Sequence, residues 1–274
     1  MTERIACIGG GNMGRAILGG LIRRGHPPGA ITVAEPLAPA RRALASEFGV
    51  QVTANNNAAV ELAEVVLLAV KPQQMKTVVR ELAASLRVRA PLVLSIAAGI
   101  TTHSLQQWIG AELPLVRAMP NTPALVGRGA TGLYATPTTD ASTRQLAESL
   151  LSAVGIVEWV TDESQLDAVT ALSGSGPAYF FLFLECLENA GMALGLTAAT
   201  ARRLALETAA GAAELARNSA LDPATLRVQV TSPGGTTEQA LKVFQDGGFN
   251  ALVAAALSAA ANRARELSHE FGDA

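Results

Sequence analysis

Near its N-terminus the chain reads Gly9-x-Gly11-x-x-Gly14. Glycines at that spacing suit one kind of chemistry. The first permits a tight turn, the second lets a ligand's phosphates approach the backbone, and the third lets a helix pack closely on a strand. Residues 4–8 before the motif are mostly apolar, and residues 15–24 after it carry apolar side chains at helical spacing. A strand, a glycine turn and a helix in that order leave unpaired N–H groups at the helix start, aimed at whatever the loop holds. Gly9, Gly11, Asn12, Met13 and Gly14 are therefore predicted to cradle the pyrophosphate of a dinucleotide. About twenty residues on, Glu35 ends a second apolar segment, where a carboxylate accepts from ribose hydroxyls and favours NAD. Arg41 and Arg42 follow; they either meet a 2′-phosphate or form a solvated helix face. The sequence leaves NADH and NADPH both open.

The elements that must position these residues follow from hydrophobic periodicity. Residues 31–34, 50–53, 65–70, 92–96, 115–119, 131–134 and 155–160 read as strands, and 39–48, 58–63, 73–86, 102–108 and 142–153 as helices between them. The run from Val65 to Val70 is apolar throughout, as expected of a strand buried on both faces. Strands alternating with helices imply parallel crossover units. After about residue 161 strand signals almost vanish, and 176–194, 198–219, 223–230, 236–246 and 250–271 read as helices. Thr197 and Asp222-Pro223 are helix starts, and Gly247-Gly248 is a stop. The expected fold is α/β. A doubly wound, mainly parallel Rossmann-type sheet over residues 1–162 is followed by an all-helical domain over 163–274. Val70, Lys71 and Pro72, at the carboxyl end of a strand, are expected beside the cofactor's ribose and nicotinamide. For Lys71 a cofactor contact or structural pairing is favoured over a role as catalytic base.

Composition narrows the function classes. The 274 residues carry a net charge of −2, which leaves no basic excess for nucleic acid. No apolar stretch approaches the roughly 20 residues of a membrane span. The two cysteines, Cys7 and Cys186, form neither a disulfide framework nor a metal cluster and read as small buried hydrophobes. With no secretory pattern at the N-terminus, a cytoplasmic protein is expected. His26, His103 and His269 lie outside every motif and are expected at the surface. The helical half is rich in small residues and offers more apolar surface than one chain covers. A homodimer or higher homo-oligomer built through that half is expected, with the substrate pocket at or near the subunit boundary.

Four further stretches are distinctive: Ala69-Val70-Lys71-Pro72-Gln73, Met119-Pro120-Asn121-Thr122-Pro123, Ser173-Gly174-Ser175-Gly176-Pro177-Ala178-Tyr179, and Ser232-Pro233-Gly234-Gly235-Thr236-Thr237. Together with the glycine loop they resemble the pyrroline-5-carboxylate reductase family, over nearly the whole chain. The resemblance implies reduction of a cyclic imine, 1-pyrroline-5-carboxylate, to L-proline with NADPH or NADH. It implies that Asn56 contacts the adenine-side ribose and that Asn121, on a rigid loop between two prolines, faces the nicotinamide side. It also supplies an anion, the substrate carboxylate, for two small-residue helix starts. Ser175 belongs to one; Ser232, Gly235, Thr236 and Thr237 belong to the other, where Ser232 and Thr236 are otherwise caps. Thr237 is the candidate catalytic hydroxyl, relaying or orienting the proton at the imine nitrogen. Two departures are visible. The third fingerprint glycine is often Ala in the family and is Gly14 here. Glu35-Pro36 stands where residues suited to NADP are more usual. The alternatives are a 3-hydroxy-acid dehydrogenase of similar architecture and a non-catalytic dinucleotide-binding module. The first wants a lysine on the substrate-domain helices, and the second has no use for the Ser-Pro-Gly-Gly-Thr-Thr helix start.

Overall fold

The computed structural model describes residues 2–272. Eight strands form one sheet: β1 (Ile5–Ile8), β2 (Ile31–Ala34), β3 (Gln51–Thr53), β4 (Val65–Leu68), β5 (Leu92–Ser95), β6 (Leu115–Met119), β7 (Gly129–Ala135) and β8 (Gly155–Trp159). Their spatial order is β3-β2-β1-β4-β5-β6-β7-β8. The first six are parallel, with Ile5 opposite both Ile31 and Val65. β7 runs antiparallel to β6, and β8 is parallel to β7. The connections are α1 (Asn12–Arg23), α2 (Ala38–Phe48), α3 (Asn56–Val60), α4 (Pro72–Arg89), α5 (Thr102–Ile109) and α6 (Ala141–Leu151).

The alternation along β1 explains how helices cover both faces. Ile5 and Cys7 point into one core with Ile17, Leu18 and Leu21 of α1. Ala6 and Ile8 point into the other, with Met75, Val79 and Leu82 of α4. Every residue of β4 is buried, as the unbroken apolar run requires. The chain leaves β1 toward β2 on one side and returns to β4 on the other. The crevice outside the carboxyl ends of β1 and β4 is thus the topological switch point, where open α/β sheets bind ligands.

The chain divides into two compact units. One is the chain up to Ser175 with the segment from Ala259 onward; the other is Gly176–Ser258. This differs from a single boundary near residue 162. The helix α7 (Gln165–Val169) and a π-helical turn, Thr170–Gly174, escape the periodicity reading yet belong to the sheet unit. Leu166 is fully buried, and Val169 sits so close to β7 that a Cβ on Gly132 would lie 2.7 Å from it. The C-terminal segment belongs to the same unit through Leu267 and Phe271, which pack on Gly99.

The second unit consists of α8 (Gly176–Ala193), α9 (Ala198–Asn218), α10 (Pro223–Gln229), α11 (Thr236–Asp246) and the start of α12 (Phe249–Gly272). Gly191 lets α8 approach Ala201 of α9, and Arg202 donates to both carboxylate oxygens of Glu188 at 3.0 and 2.9 Å. Phe183, Phe244 and Phe249 make a tilted aromatic cluster with centroids 6.2 and 5.6 Å apart. Thr197 caps α9, and Asp222 caps α10 through Ala224 and Thr225. Large apolar side chains nonetheless remain bare: Phe180 and Phe181 are about two-thirds exposed, and Leu215 and Leu252 are similar. Cys186 shares this exposure, contrary to its reading as a buried hydrophobe, because α8's apolar surface is uncovered within this chain. His26 departs the other way: it is buried rather than at the surface.

Candidate active site

The glycine loop holds its shape for stated reasons. Gly9 has φ +102°, and a Cβ there would stand 2.7 Å from the Ala69 carbonyl oxygen. A Cβ on Gly14 would lie 2.9 Å from the carbonyl oxygen of Gly9. At Gly11 the situation is opposite: its backbone is ordinary extended chain, and a Cβ would meet nothing within 4 Å. Gly11 is the N-cap of α1 and supplies no side-chain cap. The N–H groups of Asn12, Met13 and Gly14 open the helix at its positive end. These features fit a dinucleotide's pyrophosphate: two of the glycines are required by close contacts within the protein, and nothing in the protein itself requires the one between them. Cys7, just before it, is fully buried; burial pushes its thiol up to about 12 and its Sγ donates to the Gly9 carbonyl, so it serves packing rather than nucleophilic chemistry.

Glu35 follows β2 directly beside the loop. Its Oε2 accepts from the Gly10 N–H at 3.1 Å and its Oε1 from the Leu37 N–H at 3.0 Å. Arg41 is turned onto the same strand end, with Nη1 donating to the carbonyls of Glu35 and Pro36, both at 2.7 Å. Arg42 is exposed. The carboxylate is thus fixed at the loop, while the nearer arginine is partly engaged by backbone. The three asparagines after β3 each have a structural partner. Asn55 caps α3 through Ala58, Asn56 donates to Glu81 at 3.0 Å, and Asn57 accepts from Ser85 at 2.8 Å. Asn56 stands at the carboxyl edge next to Glu35, whose N–H pairs with the Thr53 carbonyl. Val70, half-buried, and Lys71, exposed, lie at the start of α4 beside Pro72, with Val70 against Gly9.

Asn121 is buried, and its amide is occupied on both sides. Oδ1 accepts from Ala130 N–H at 2.9 Å, and Nδ2 donates to the Ser173 carbonyl at 3.0 Å. The loop Met119–Pro123 and the turn that ends at Ser175 are therefore joined; Met119 also lies where a Cβ on Gly174 would be, 2.6 Å from its Cε. Sequence reasoning singled out both motifs without seeing that one holds the other. It also passed over the loop after β5, whose Gly99 has φ +74° and packs on α12; an Ala-Ala-Gly run after a strand was the available signal.

The other helix start belongs to the second unit. Gly235 is the N-cap of α11, with no side-chain cap. Ser232 contributes its carbonyl to the Gly235 N–H at 3.0 Å, and Glu238 reaches back to the Gly234 N–H at 2.7 Å. Neither the Ser232 nor the Thr236 hydroxyl is spent on capping, and Thr237 is half-buried in the first turn. The first turn of α11 thus presents backbone N–H groups among three hydroxyls.

A glycine loop at the switch point of a doubly wound sheet, with a carboxylate fixed beside it and a separate helical unit, is the architecture of a nicotinamide-dinucleotide-dependent oxidoreductase. The chain is 52% identical over 271 residues to the pyrroline-5-carboxylate reductase of Pseudomonas aeruginosa, across 99% of each chain. It superposes with a TM-score of 0.94 and 47% identity on a pyrroline-5-carboxylate reductase of Coxiella burnetii, covering 98% of this chain and 99% of that one. It belongs to the pyrroline-5-carboxylate reductase family. The Plasmodium falciparum pyrroline carboxylate reductase, with NADP bound, matches at TM-score 0.86 and 26% identity over 97% of this chain and 98% of that one. The family model for pyrroline-5-carboxylate reductase dimerisation matches residues 163–267, and the one described as NADP oxidoreductase, coenzyme F420-dependent, matches 4–99.

Proposed function

We propose that this chain reduces 1-pyrroline-5-carboxylate to L-proline with NADPH or NADH. Family membership supports the reaction, and the observation that carries the site assignment is the uncapped start of α11. Backbone N–H groups there, at the positive end of an eleven-residue helix, hold the substrate carboxylate without an arginine or lysine. Ser232 and Thr236 add hydroxyl donors, and the glycines let the anion approach. Ser175, at the end of the π-helical turn, is assigned to the substrate site as well. A reduced nicotinamide dinucleotide held by the residues named below would supply the hydride for the imine carbon. The chain's part is to orient the ring and exclude water, and the Thr237 hydroxyl orients or relays the proton that ends on the ring nitrogen. On the cofactor side, Gly9, Gly11, Asn12, Met13 and Gly14 hold the pyrophosphate, Glu35 and Asn56 the adenine-side ribose, and Val70, Lys71 and Pro72 the nicotinamide side.

The assembly is a homodimer or larger homo-oligomer through the helical unit, whose bare apolar side chains need a partner copy to cover them. No helix among the described residues is long and apolar enough to cross a membrane. Both cysteines are free thiols, which fits a reducing compartment, and a cytoplasmic setting is part of the proposal. The test is purified protein with reduced nicotinamide dinucleotide and pyrroline-5-carboxylate, followed by nicotinamide absorbance. Imine-dependent loss of absorbance is expected. Its absence, with turnover of a 3-hydroxy acid and oxidised cofactor instead, overturns the reading.

A further inference from the structure

The Asn121 amide solves two backbone problems at once. β6 and β7 pair in register down to Met119 opposite Gly132, and continuing that register sets position 121 opposite Ala130. The ladder stops because the Asn121 carbonyl, next in line for the Ala130 N–H, instead accepts from the Ala124 N–H of the following 3-10 turn at 3.1 Å. The Ala130 N–H beyond the stop takes the Asn121 side-chain oxygen instead. The second problem lies in the turn. A helix would continue by pairing the Ser173 carbonyl with the N–H four residues on, but that residue is Pro177. The π-helical turn pairs Ser175 N–H with the Thr170 carbonyl at 2.8 Å, and the Ser173 carbonyl is met by Asn121 Nδ2. π-turns of this kind are rare and concentrate at functional sites. One N–H and one lone pair of the buried amide are thus committed to protein, which fixes the side chain in place.

We propose that Asn121 is a positioning residue for the reaction, fixing the Ser173–Ser175 turn against the end of β6 so that Ser175 is held for the substrate. The inference rests on the reading above that Ser175 belongs to the substrate site. Asn121→Asp separates the two arms. The ionised side chain still accepts from Ala130 but faces the Ser173 carbonyl with an oxygen instead of a donor. The protonated acid restores both bonds. Asn121→Ala lacks both arms at every pH.

The experiment measures kcat and KM for pyrroline-5-carboxylate, and Kd for the reduced dinucleotide by fluorescence titration, across a pH series. The wild type, N121D and N121A are compared, with melting temperatures for each. At neutral pH, kcat/KM for the imine is expected to fall at least 10-fold in both variants, while the dinucleotide Kd stays within 2-fold. The N121D rate relative to wild type is expected to recover as pH falls, with N121A showing no recovery. If N121D does not accumulate as folded protein, the N121A comparison of imine kcat/KM against dinucleotide Kd decides alone. Unchanged kcat/KM in the folded variants overturns the proposal, as does a dinucleotide Kd that rises in step with the loss of rate. A wild type that does not turn over the imine refutes the functional reading instead, before the variants are compared.

Discussion

Replacing Gly11 with Ala separates what the fold needs from what the ligand needs. Gly11 has φ −70° and ψ 179°, which alanine adopts without strain, and its Cβ would enter open space. Two small terms act on stability. Alanine is a poorer N-cap than glycine, and that costs about 0.5–1 kcal/mol. Reduced freedom of the unfolded chain offsets it by about 0.4–1 kcal/mol. The net lies within about 1 kcal/mol of zero, or about 2–4 °C in Tm for a chain of this size. Binding differs on the proposed reading, in which the pyrophosphate takes the open space beside Gly11 and the added methyl competes for it. Losing one hydrogen bond to a charged phosphate costs about 1.5–3 kcal/mol, which corresponds to a roughly 10- to 100-fold weaker Kd. Thermal melting and fluorescence titration with reduced dinucleotide give the two numbers on one sample. Gly9→Ala is the contrast, since φ +102° and the 2.7 Å approach to Ala69 predict loss of stability first. A Gly11→Ala protein that binds dinucleotide as tightly as wild type refutes the reasoning: the open space at Gly11 would then not be the pyrophosphate's.

Glu35→Ser should raise the ratio of kcat/KM for NADPH over NADH roughly 5- to 1,000-fold, because like charges a few ångströms apart near a surface repel by about 1–4 kcal/mol. It should also cost about 1–2 kcal/mol of stability by releasing the Gly10 and Leu37 N–H groups; an unchanged ratio means Glu35 does not face the ribose. Thr237→Ala should lower turnover by about 10- to 100-fold, whereas Gly235→Val should raise KM for the imine, both with dinucleotide Kd preserved. Steady-state kinetics with saturating imine check this, and wild-type turnover in Thr237→Ala reduces that hydroxyl to a structural part. Light scattering at micromolar concentration should return twice the chain's 28.2 kDa or more; a monomeric mass contradicts the proposed assembly.

The class of sheet and most elements were legible because their signals are local. Val65–Leu68 declares itself by an unbroken apolar run, and Thr236–Asp246 by its glycine-rich start and the Gly247-Gly248 stop. The glycine loop was legible for the same reason. The direction of β7 was not, because it is set by the short 3-10 turn Thr122–Val126 and a ladder with β6, neither of which leaves a mark in periodicity. α7 and the π-helical turn after it were missed because they are short and an inserted residue breaks the 3.6 repeat. Asn121 stood out as a residue type between prolines, but its partners at Ala130 and Ser173 are tertiary and leave no mark in the sequence. The exposure of Cys186 and the burial of His26 follow from which surfaces meet, which composition does not encode.

The central claim is that this chain catalyses hydride and proton addition to a cyclic imine. The most direct measurement is the stoichiometry of that reaction with purified protein. Reduced nicotinamide dinucleotide and pyrroline-5-carboxylate are mixed, and the dinucleotide oxidised is compared with the L-proline formed, resolved from D-proline. The account predicts one L-proline for each dinucleotide oxidised, and none when either reactant is omitted. Dinucleotide bound without proline formed, or oxidised without matching proline, would contradict it.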